Sequence, residues 1–453
     1  LRTSISQSDQ YIRNIDNNRL YIQAGDSALE SVGINLIRAK ELAVSELGGL
    51  STSETRAFAA NEFDQIISQI FESANIKIKN QFVFSGTAFR TQPFEQSASG
   101  AVYLGNTENF QIAVGENTNA DFTIPGSSVL GNDLNPQLTS STELSNLIGG
   151  SGITAGSFTI TDRSGNSGTV TVASTDTISS LISKINALGG NVTASINSNG
   201  SGLQLTDGSS VISQALTVAE VSGGSTALEL GILGQRDGDI SGSDLNPTIT
   251  SATLISDLDG GDGLTLNEIG IVNGSASGTV TLSSATTIAD VITLINNSSF
   301  NVTASINSAG NSLLVTSNSS STVAIVKNVG TDETAENLGL GGGKNVFTTL
   351  FKLRDALNDD DTFAILASLE NLDSTLASVN NNRAVVGASL RRVDLTDYVL
   401  EQNIVDQSQQ LSDLEDADIV KSTSDLANLE FALQATLATT AQILQPTLLD
   451  FIR

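Results

Sequence analysis

The side chains that most often do chemistry in proteins are largely missing from this sequence. Its 453 residues include no Cys and no His. A thiolate nucleophile, a Ser-His-Asp triad and an ordinary zinc or iron–sulfur site are therefore excluded, because each needs one of those residues. Most acid–base mechanisms also lose their usual proton carrier. We predict a protein that is not an enzyme and that holds no cofactor.

One acidic turn, "DLDGGDGLTLNE", is the only weak candidate for a metal site. Asp257, Asp259 and Glu268 fit positions one, three and twelve of a calcium-binding loop. However, Gly261 stands at position five and Asp262 at position six, where the sharp turn of such a loop needs Gly. A solvated acidic turn is the preferred interpretation.

The segment "LGGGKN" at 340–345 has the glycines and the lysine of a phosphate-binding loop. Its spacing does not fit, because Leu338 takes the place of the first Gly and Asn345 that of the Ser or Thr that binds Mg²⁺. We therefore expect no nucleotide site in this segment.

The charge balance excludes two classes of partner. The chain has 21 Lys and Arg against 49 Asp and Glu, a net charge of −28. Nucleic acids and anionic membrane surfaces both need clustered cations, which the sequence does not supply. No apolar run reaches the roughly 18 residues of a membrane span. We predict neither nucleic-acid binding nor membrane insertion.

Residues 1–80 are predicted to form an N-terminal helical arm. Apolar side chains, among them Ile15, Leu29 and Leu36, recur at helical spacing before and after a break. At the break, "GGLSTSET", the two glycines end one helix and Ser51 or Ser53 is expected to cap the next. Residues 81–130, with alternating segments such as "NFQIAVG", are predicted to be a β connection.

An internal repeat occupies the middle of the chain. The octapeptide "NVTASINS" occurs at 191–198 and again at 301–308, and 19 of 32 aligned positions around it are identical. A period of about 110 residues is too long for a solenoid unit. We predict two tandem domains, at 131–240 and 241–343.

Within each repeat, period-two segments alternate with one helical segment. In the first copy Ile178, Leu181, Ile182 and Ile185 form an apolar stripe, and the second copy has equivalent residues. Each repeat is expected to be a small sheet with one packed helix, in which "NVTASINS" is a core strand. We also expect each repeat to fold independently.

Residues 344–418 are predicted to form a C-terminal helical arm. Apolar residues follow alternating spacings of four and three, the pattern of a coiled-coil seam. The predicted packing positions are Val386, Leu390, Val393, Leu400, Ile404 and Leu411.

The last segment, 419–453, carries a further apolar stripe with few charges. We predict an assembly helix that stays poorly ordered until neighbouring molecules cover it. Its predicted interface residues are Leu426, Leu429, Leu433, Leu437, Leu444, Leu448 and Phe451.

The fold expected from these segments is a multidomain α+β protein. Long helical coiled-coil arms come from both chain ends, and β-rich outer domains, two of them tandem repeats, lie between them. In this layout "LIRAKELAVSE" at 36–46 resembles a helix of bacterial flagellins, and the duplicated units resemble the flagellin insertion module. The turn "FVFSGTAFRTQPF" at 82–94 and the segment 415–452 are similar to the hook–filament junction family of flagellin-like proteins, hook-associated protein 3.

The resemblance implies a structural subunit, an adaptor ring between flagellar hook and filament. It implies export through the flagellar channel, an extracellular location in the flagellum, and an export chaperone at the C-terminal segment. The implied partners are further copies in a ring, hook-associated protein 1 and flagellin. The family usually begins with a further helix, which the resemblance implies would pair with 419–453. Filament flagellin and a surface adhesin with coiled-coil arms are the alternatives.

Overall fold

A computed structural model describes residues 1–97, 100–116, 118–131, 133–415 and 419–443. The chain divides into two compact units. The first contains residues 1–16, 113–118 and 393–453, and the second contains residues 17–112 and 119–392. Among the described helices, none is long and apolar enough to span a membrane.

Long helices form both ends of the chain, as the sequence predicts. Two helices precede the β-rich region, and three follow it. They are α1 (Arg2–Glu46), α2 (Ser53–Ala74), α8 (Val346–Asn358), α9 (Thr362–Glu415) and α10 (Ile419–Ile443).

The predicted cap of α2 is wrong by one residue. Thr52, not Ser51 or Ser53, is the N-cap, because its side chain accepts a hydrogen bond from the Thr55 backbone N–H. The Thr55 hydroxyl in turn accepts from the Thr52 backbone N–H at 2.9 Å. This reciprocal pair satisfies two N–H groups that the helix itself leaves free. Thr52 is therefore the better cap, because a second hydroxyl residue, Thr55, stands three positions after it.

A β connection of short hairpins follows α2. Its strands are β1 (Lys77–Ile78), β2 (Gln81–Phe82), β3 (Phe94–Ser97), β4 (Gly100–Tyr103), β5 (Gln111–Gly115) and β6 (Thr118–Asp121), before the short helix α3 (Gly126–Val129). Phe94 is fully buried here. Its ring packs against Tyr103 and Phe347, with centroids 5.2 Å and 5.1 Å away. These aromatic contacts attach the connection to α8.

The middle of the chain contains two stretches with a similar order of elements, here called module one and module two. Module one comprises β7 (Gly156–Thr161), β8 (Ser167–Val172), α4 (Ile178–Asn186), β9 (Val192–Ile196), β10 (Leu203–Asp207), β11 (Leu216–Glu220), α5 (Thr226–Glu229), β12 (Gly234–Arg236) and β13 (Ile240–Ser241). Module two comprises β14 (Glu268–Asn273), β15 (Ala276–Thr281), α6 (Ile288–Asn296), β16 (Val302–Ile306), β17 (Leu313–Ser317), β18 (Ile325–Asn328) and α7 (Thr334–Asn337).

Each module has antiparallel sheets and a hydrophobic core of its own. The strand orders in module one are β12-β11-β7-β8 and β13-β10-β9, and those in module two are β15-β14-β18 and β16-β17. Ile178, Leu181 and Ile185 of the predicted stripe are buried in module one, while Ile182 packs at the edge of that core. Ile288, Val291 and Ile295 of α6 are buried in the same way in module two. The longer helix of each module, α4 or α6, therefore covers the sheets with one apolar face.

The repeated octapeptide forms a core strand because the same amide holds it in both copies. Asn186, the last residue of α4, donates from Nδ2 to the Ala194 carbonyl at 3.3 Å and accepts from the Ala194 N–H at 2.6 Å. Asn296 makes the same two bonds to Ala304, with the same two distances. Each helix end is thus fixed to the middle of "NVTASINS", which explains why the Asn and the strand recur together.

We expect Asn186→Ala to lower the free energy of unfolding of the full chain. Ala194 is buried, so the substitution leaves its N–H and carbonyl without this partner, at a cost of about 1–3 kcal/mol. Equilibrium denaturation in urea measures the change. Asn199→Ala, at an exposed turn residue, is the matched control and should shift stability by less than about 0.5 kcal/mol. Equal stability of the two variants would contradict the role given to this amide.

Module two contacts the C-terminal helices directly. The Val326 carbonyl accepts from Asn371 Nδ2 at 2.8 Å, and Lys327 Nζ lies 2.6 Å from a Glu370 oxygen. Val323, which is buried, donates its N–H to Asp361 Oδ2 at 3.0 Å.

In the corresponding loop of module one, Val211 and Ile212 are 64% and 67% exposed.

Candidate assembly surfaces

Buried residues recur with a heptad spacing along one face of α1. Every seventh residue from Ser8 to Ala43 is buried. Its apolar members are Ile15, Ile22, Leu29, Leu36 and Ala43. Sequence analysis found most of them, but Ser8 and Gly25 are buried on the same helix without an apolar signal. Such regular spacing of seven is the signature of coiled-coil packing.

The predicted seam of α9 is the least exposed face of that helix between 386 and 411. Val386, Val393 and Leu400 are buried. Leu390, Ile404 and Leu411 are half-buried. By contrast, Val385, Leu395 and Val399 lie between the seam positions and are 61%, 65% and 53% exposed. The structure thus places all six predicted packing residues on one face, and their role in assembly stays a prediction.

Within the second unit, ion pairs set the antiparallel register of the two arms. Arg383 lies 3.4 Å from Asp26 and 3.5 Å from Glu30, and Lys40 pairs with Asp373. The residues involved are all partly exposed, so each pair contributes little to stability, about 0–1 kcal/mol. Their main effect is on the alignment of the two helices, since the opposite charges face each other in only one register. The sequence gives no signal of this pairing, because the partners are more than 300 positions apart.

The helix α10 exposes the predicted assembly stripe. Leu426, Leu429, Leu433 and Leu437 are 57–68% exposed. Phe431 is 75% exposed on the same helix. The expectation of poor order is wrong for 419–443, which form a helix. Ala, Leu and Gln favour a helix even without packing, which accounts for the difference. The remaining predicted interface residues, Leu444, Leu448 and Phe451, lie outside the described residues.

Two of the three acidic residues of the turn form hydrogen bonds with other side chains. Asp257 accepts a hydrogen bond from Gln137 Nε2 at 3.2 Å, and Glu268, in β14, accepts one from Thr281 at 3.2 Å. Asp259 has a positive φ of 54°. In the part of the chain that the structure describes, no group of three or more His, Cys, Asp or Glu side chains could hold a metal ion. Asp257 is thus bonded to a residue 120 positions earlier, and Glu268 to a residue of the neighbouring strand β15.

The glycine-rich segment before α8 also has a structural role. Gly343 has a φ of 54°, and a Cβ there would lie only 1.7 Å from the Glu336 side chain. The Asn345 amide donates to the carbonyls of Gly342 and Glu336 at 2.8 Å and 3.0 Å. The segment needs Gly for a close approach of the chain to α7, and its Asn ties the turn together.

Three carboxyl groups with raised pKa values lie near the entry to the modules. Burial raises the pKa of Asp133 to about 6, an effect opposed by the Asn135 N–H and increased by Asp244. Burial likewise raises the pKa of Asp244, and burial followed by the charge of Asp244 raises that of Glu108. Asp133 Oδ2 is buried and has no hydrogen-bond partner among the described residues. Ionisation of this cluster at neutral pH therefore costs stability.

Comparison with known families matches two separate parts of the chain. The bacterial flagellin C-terminal helical region matches residues 369–452, which include most of α9 and all of α10. The flagellin hook IN motif matches residues 157–209, from β7 to just past β10. These matches confirm the resemblance to the flagellin superfamily. The flagellin C-terminal match covers the whole predicted seam and the Leu stripe of α10.

Several solved structures of flagellar proteins are similar to this chain. FlgL from Xanthomonas campestris is 15% identical, over 91% of this chain and 100% of that one, with a TM-score of 0.38. Flagellar hook associated protein-3 from Legionella pneumophila is 16% identical, over 92% and 100%, with a TM-score of 0.41. FliC from Burkholderia pseudomallei is 15% identical, over 83% and 99%, with a TM-score of 0.27. No curated protein matched the chain.

Proposed function

We propose that this chain is a structural, non-enzymatic subunit of the bacterial flagellum that joins the hook to the filament. The observation that carries the proposal is the flagellin C-terminal match over 369–452, which includes α10 and its row of exposed Leu side chains. Burying one Leu contributes about 1.5–3 kcal/mol, so such a row favours association with other molecules.

The turn between the arm and the modules supports a junction protein over a filament flagellin. Residues 82–94 resemble the junction family, and Phe82, Val83 and Phe84 of this turn are buried. The Phe84 carbonyl accepts from the Tyr103 hydroxyl at 2.9 Å. The turn is therefore a packed element and not a loose linker, as expected of a part that fixes the direction of the modules.

The proposed domain layout follows the sequence boundaries. It consists of an N-terminal arm at 1–80, a β connection at 81–130, tandem repeats at 131–240 and 241–343, a C-terminal arm at 344–418 and an assembly helix at 419–453. The arms associate through their coiled-coil seams. The acidic repeats face solvent, where their loops tolerate variation.

The proposed partners are the other axial proteins of the flagellum. Further copies of the chain form a ring, which contacts hook-associated protein 1 on one side and flagellin on the other. An export chaperone covers 419–453 before secretion through the flagellar channel. Without Cys the chain forms no disulfide, so it can pass through a narrow channel unfolded in any redox compartment.

Immunogold labelling of intact flagella tests the location. An antibody against residues 131–343 should label a short band between hook and filament, and a deletion strain should release unpolymerised flagellin. Label along the whole filament would replace the junction assignment by filament flagellin. Label on the cell surface away from flagella would contradict both.

A further inference from the structure

Two short linkers with the same sequence core lie before the modules. The first linker comprises residues 133–138, "DLNPQL", and the second comprises residues 244–249, "DLNPTI". In the chain, the first linker leads into module one, and the second connects module one to module two. Sequence order alone thus assigns the first linker to module one.

The buried side chains of the first linker are divided between the two modules. Leu138 belongs to the hydrophobic core of module one, whereas Leu134, four residues earlier, belongs to that of module two. Both are only 3% exposed. The first linker therefore closes the core of module two before the chain enters module one.

The second linker shows the same division with the modules exchanged. Leu245 lies in the core of module one, and Ile249 lies in the core of module two. Each core therefore contains one apolar residue from each linker. Each linker thus contributes one buried side chain to each module, so the contacts of the two linkers are reciprocal.

Backbone hydrogen bonds repeat the exchange. The Leu134 N–H donates to Asn311 in module two at 2.9 Å, and the Leu245 N–H donates to Ser201 in module one at 2.9 Å. Farther along each linker, the Leu138 N–H donates to the Gly200 carbonyl and the Ile249 N–H to the Gly310 carbonyl, both at 2.7 Å. Three further backbone N–H groups around the first linker each have an equivalent around the second. In each case the first residue named donates its N–H to the carbonyl of the second: Gln137 to Asp257 and Thr248 to Asn146, Asp259 to Leu134 and Ile148 to Leu245, Gly260 to Asn135 and Gly149 to Asn246.

Local geometry holds each linker in the shape that this exchange needs. Asp133 Oδ1 accepts from the Asn135 N–H at 2.8 Å, and Asp244 Oδ1 accepts from the Asn246 N–H at 2.7 Å. Asn135 and Asn246 have positive φ values of 40° and 42°, a conformation that Asn tolerates better than most residues. The Pro that follows each Asn fixes the next φ angle. The linkers are therefore rigid clasps and not flexible connections.

We propose that the two modules form one interlocked body that folds and unfolds cooperatively, with each linker acting as a clasp on both cores. Neither core is complete with its own stretch of sequence alone. Module one needs Leu245 from beyond its last strand, and module two needs Leu134 from before the first strand of module one. This replaces the expectation of two repeats that fold independently.

Hydrogen exchange of the full chain, read by mass spectrometry, tests the clasp. Leu134→Ala and Leu138→Ala change the same residue type, at the same burial, four positions apart. The strands to follow are β10 in module one and β17 in module two. Their sequences differ, so mass spectrometry distinguishes the peptides that contain them. We expect each variant to lower the protection of both strands by tenfold or more.

Independent modules give a different result. In that case Leu138→Ala affects only β10, and Leu134→Ala affects β17 alone or neither strand. Loss confined to one module in both variants would overturn the proposal. Leu134→Val and Leu138→Val provide the same comparison if the Ala variants do not fold. Val211→Ala, at an exposed site in module one, is the control and should leave both strands protected.

Discussion

Cells that carry Leu433→Asp in the full-length protein are expected to export it but to shed flagellin that does not polymerise. Leu433 is 60% exposed on α10, so the substitution removes little packing in the free subunit. In an assembled flagellum, the same position would lie against a neighbour. An unpaired carboxylate buried there costs several kcal/mol, in addition to the loss of the Leu contact.

The measurement is filament length by electron microscopy, together with the amounts of both proteins in the culture medium. Ala435→Asp is the matched control, because it adds the same charge two residues along, on the opposite face of the helix. Normal filaments in the Leu433→Asp strain would show that the stripe is not an assembly surface. Equal loss in both strains would contradict a one-sided stripe.

Replacing Asp133 by Asn is expected to stabilise the protein at neutral pH. The pKa of Asp133 is raised to about 6, above the ordinary value of 3.8. The folded state therefore binds more protons than the unfolded state between about pH 4 and pH 6, and stability falls as pH rises through this window. The groups facing Asp133 are Tyr103, Asp244 and Lys344. Raising the pKa from 3.8 to about 6 lowers the free energy of unfolding by about 2–3 kcal/mol above pH 6.

Asn removes the charge and keeps the acceptor for the Asn135 N–H, so this destabilisation should disappear. Thermal unfolding of Asp133→Asn and the native chain should show a higher Tm for the variant at pH 7.5 and similar values at pH 4. An equal Tm at pH 7.5 would contradict a charged, buried Asp133.

Asp162 provides a control of opposite sign. Burial opposes its ionisation, but hydrogen bonds from Asn166, Ser164 and Asn191 outweigh that effect and hold its pKa well below the ordinary value. This carboxylate contributes stability above its unfolded pKa, and the contribution is lost as pH falls. Asp162→Asn should therefore lower the Tm at pH 7.5, where Asp133→Asn raises it.

Periodic features of the structure could be predicted from the sequence, whereas pairings across long distances could not. The heptad spacing placed Val386, Val393 and Leu400 on a buried face, because a helix converts spacing directly into direction. The stripe of α4 was found for the same reason. Local chemistry was less certain, as the cap of α2 shows, since three neighbouring hydroxyl residues competed for one position.

The crossing of the linkers has no signal in a single sequence. Leu134 and Leu138 look alike as apolar residues near a Pro, and nothing in their spacing says that one belongs to the more distant module. Likewise, the clustering of Asp133, Asp244 and Glu108 depends on how the chain returns to the same place after more than 100 residues. Such contacts are set by tertiary packing and not by periodicity.

The unequal surroundings of the two modules have a consequence for immune recognition and sequence drift. Val323 of module two is buried and donates its N–H to Asp361, the residue just before α9, so changes there disturb the start of that helix. The equivalent loop of module one, with Val211 and Ile212 in solvent, carries no such constraint. We expect an antibody to reach that loop, and substitutions of Val211 or Ile212 to cost the fold little, because both side chains are exposed. We therefore expect the loop of module one to vary more among related proteins than the loop of module two, which contacts Asp361.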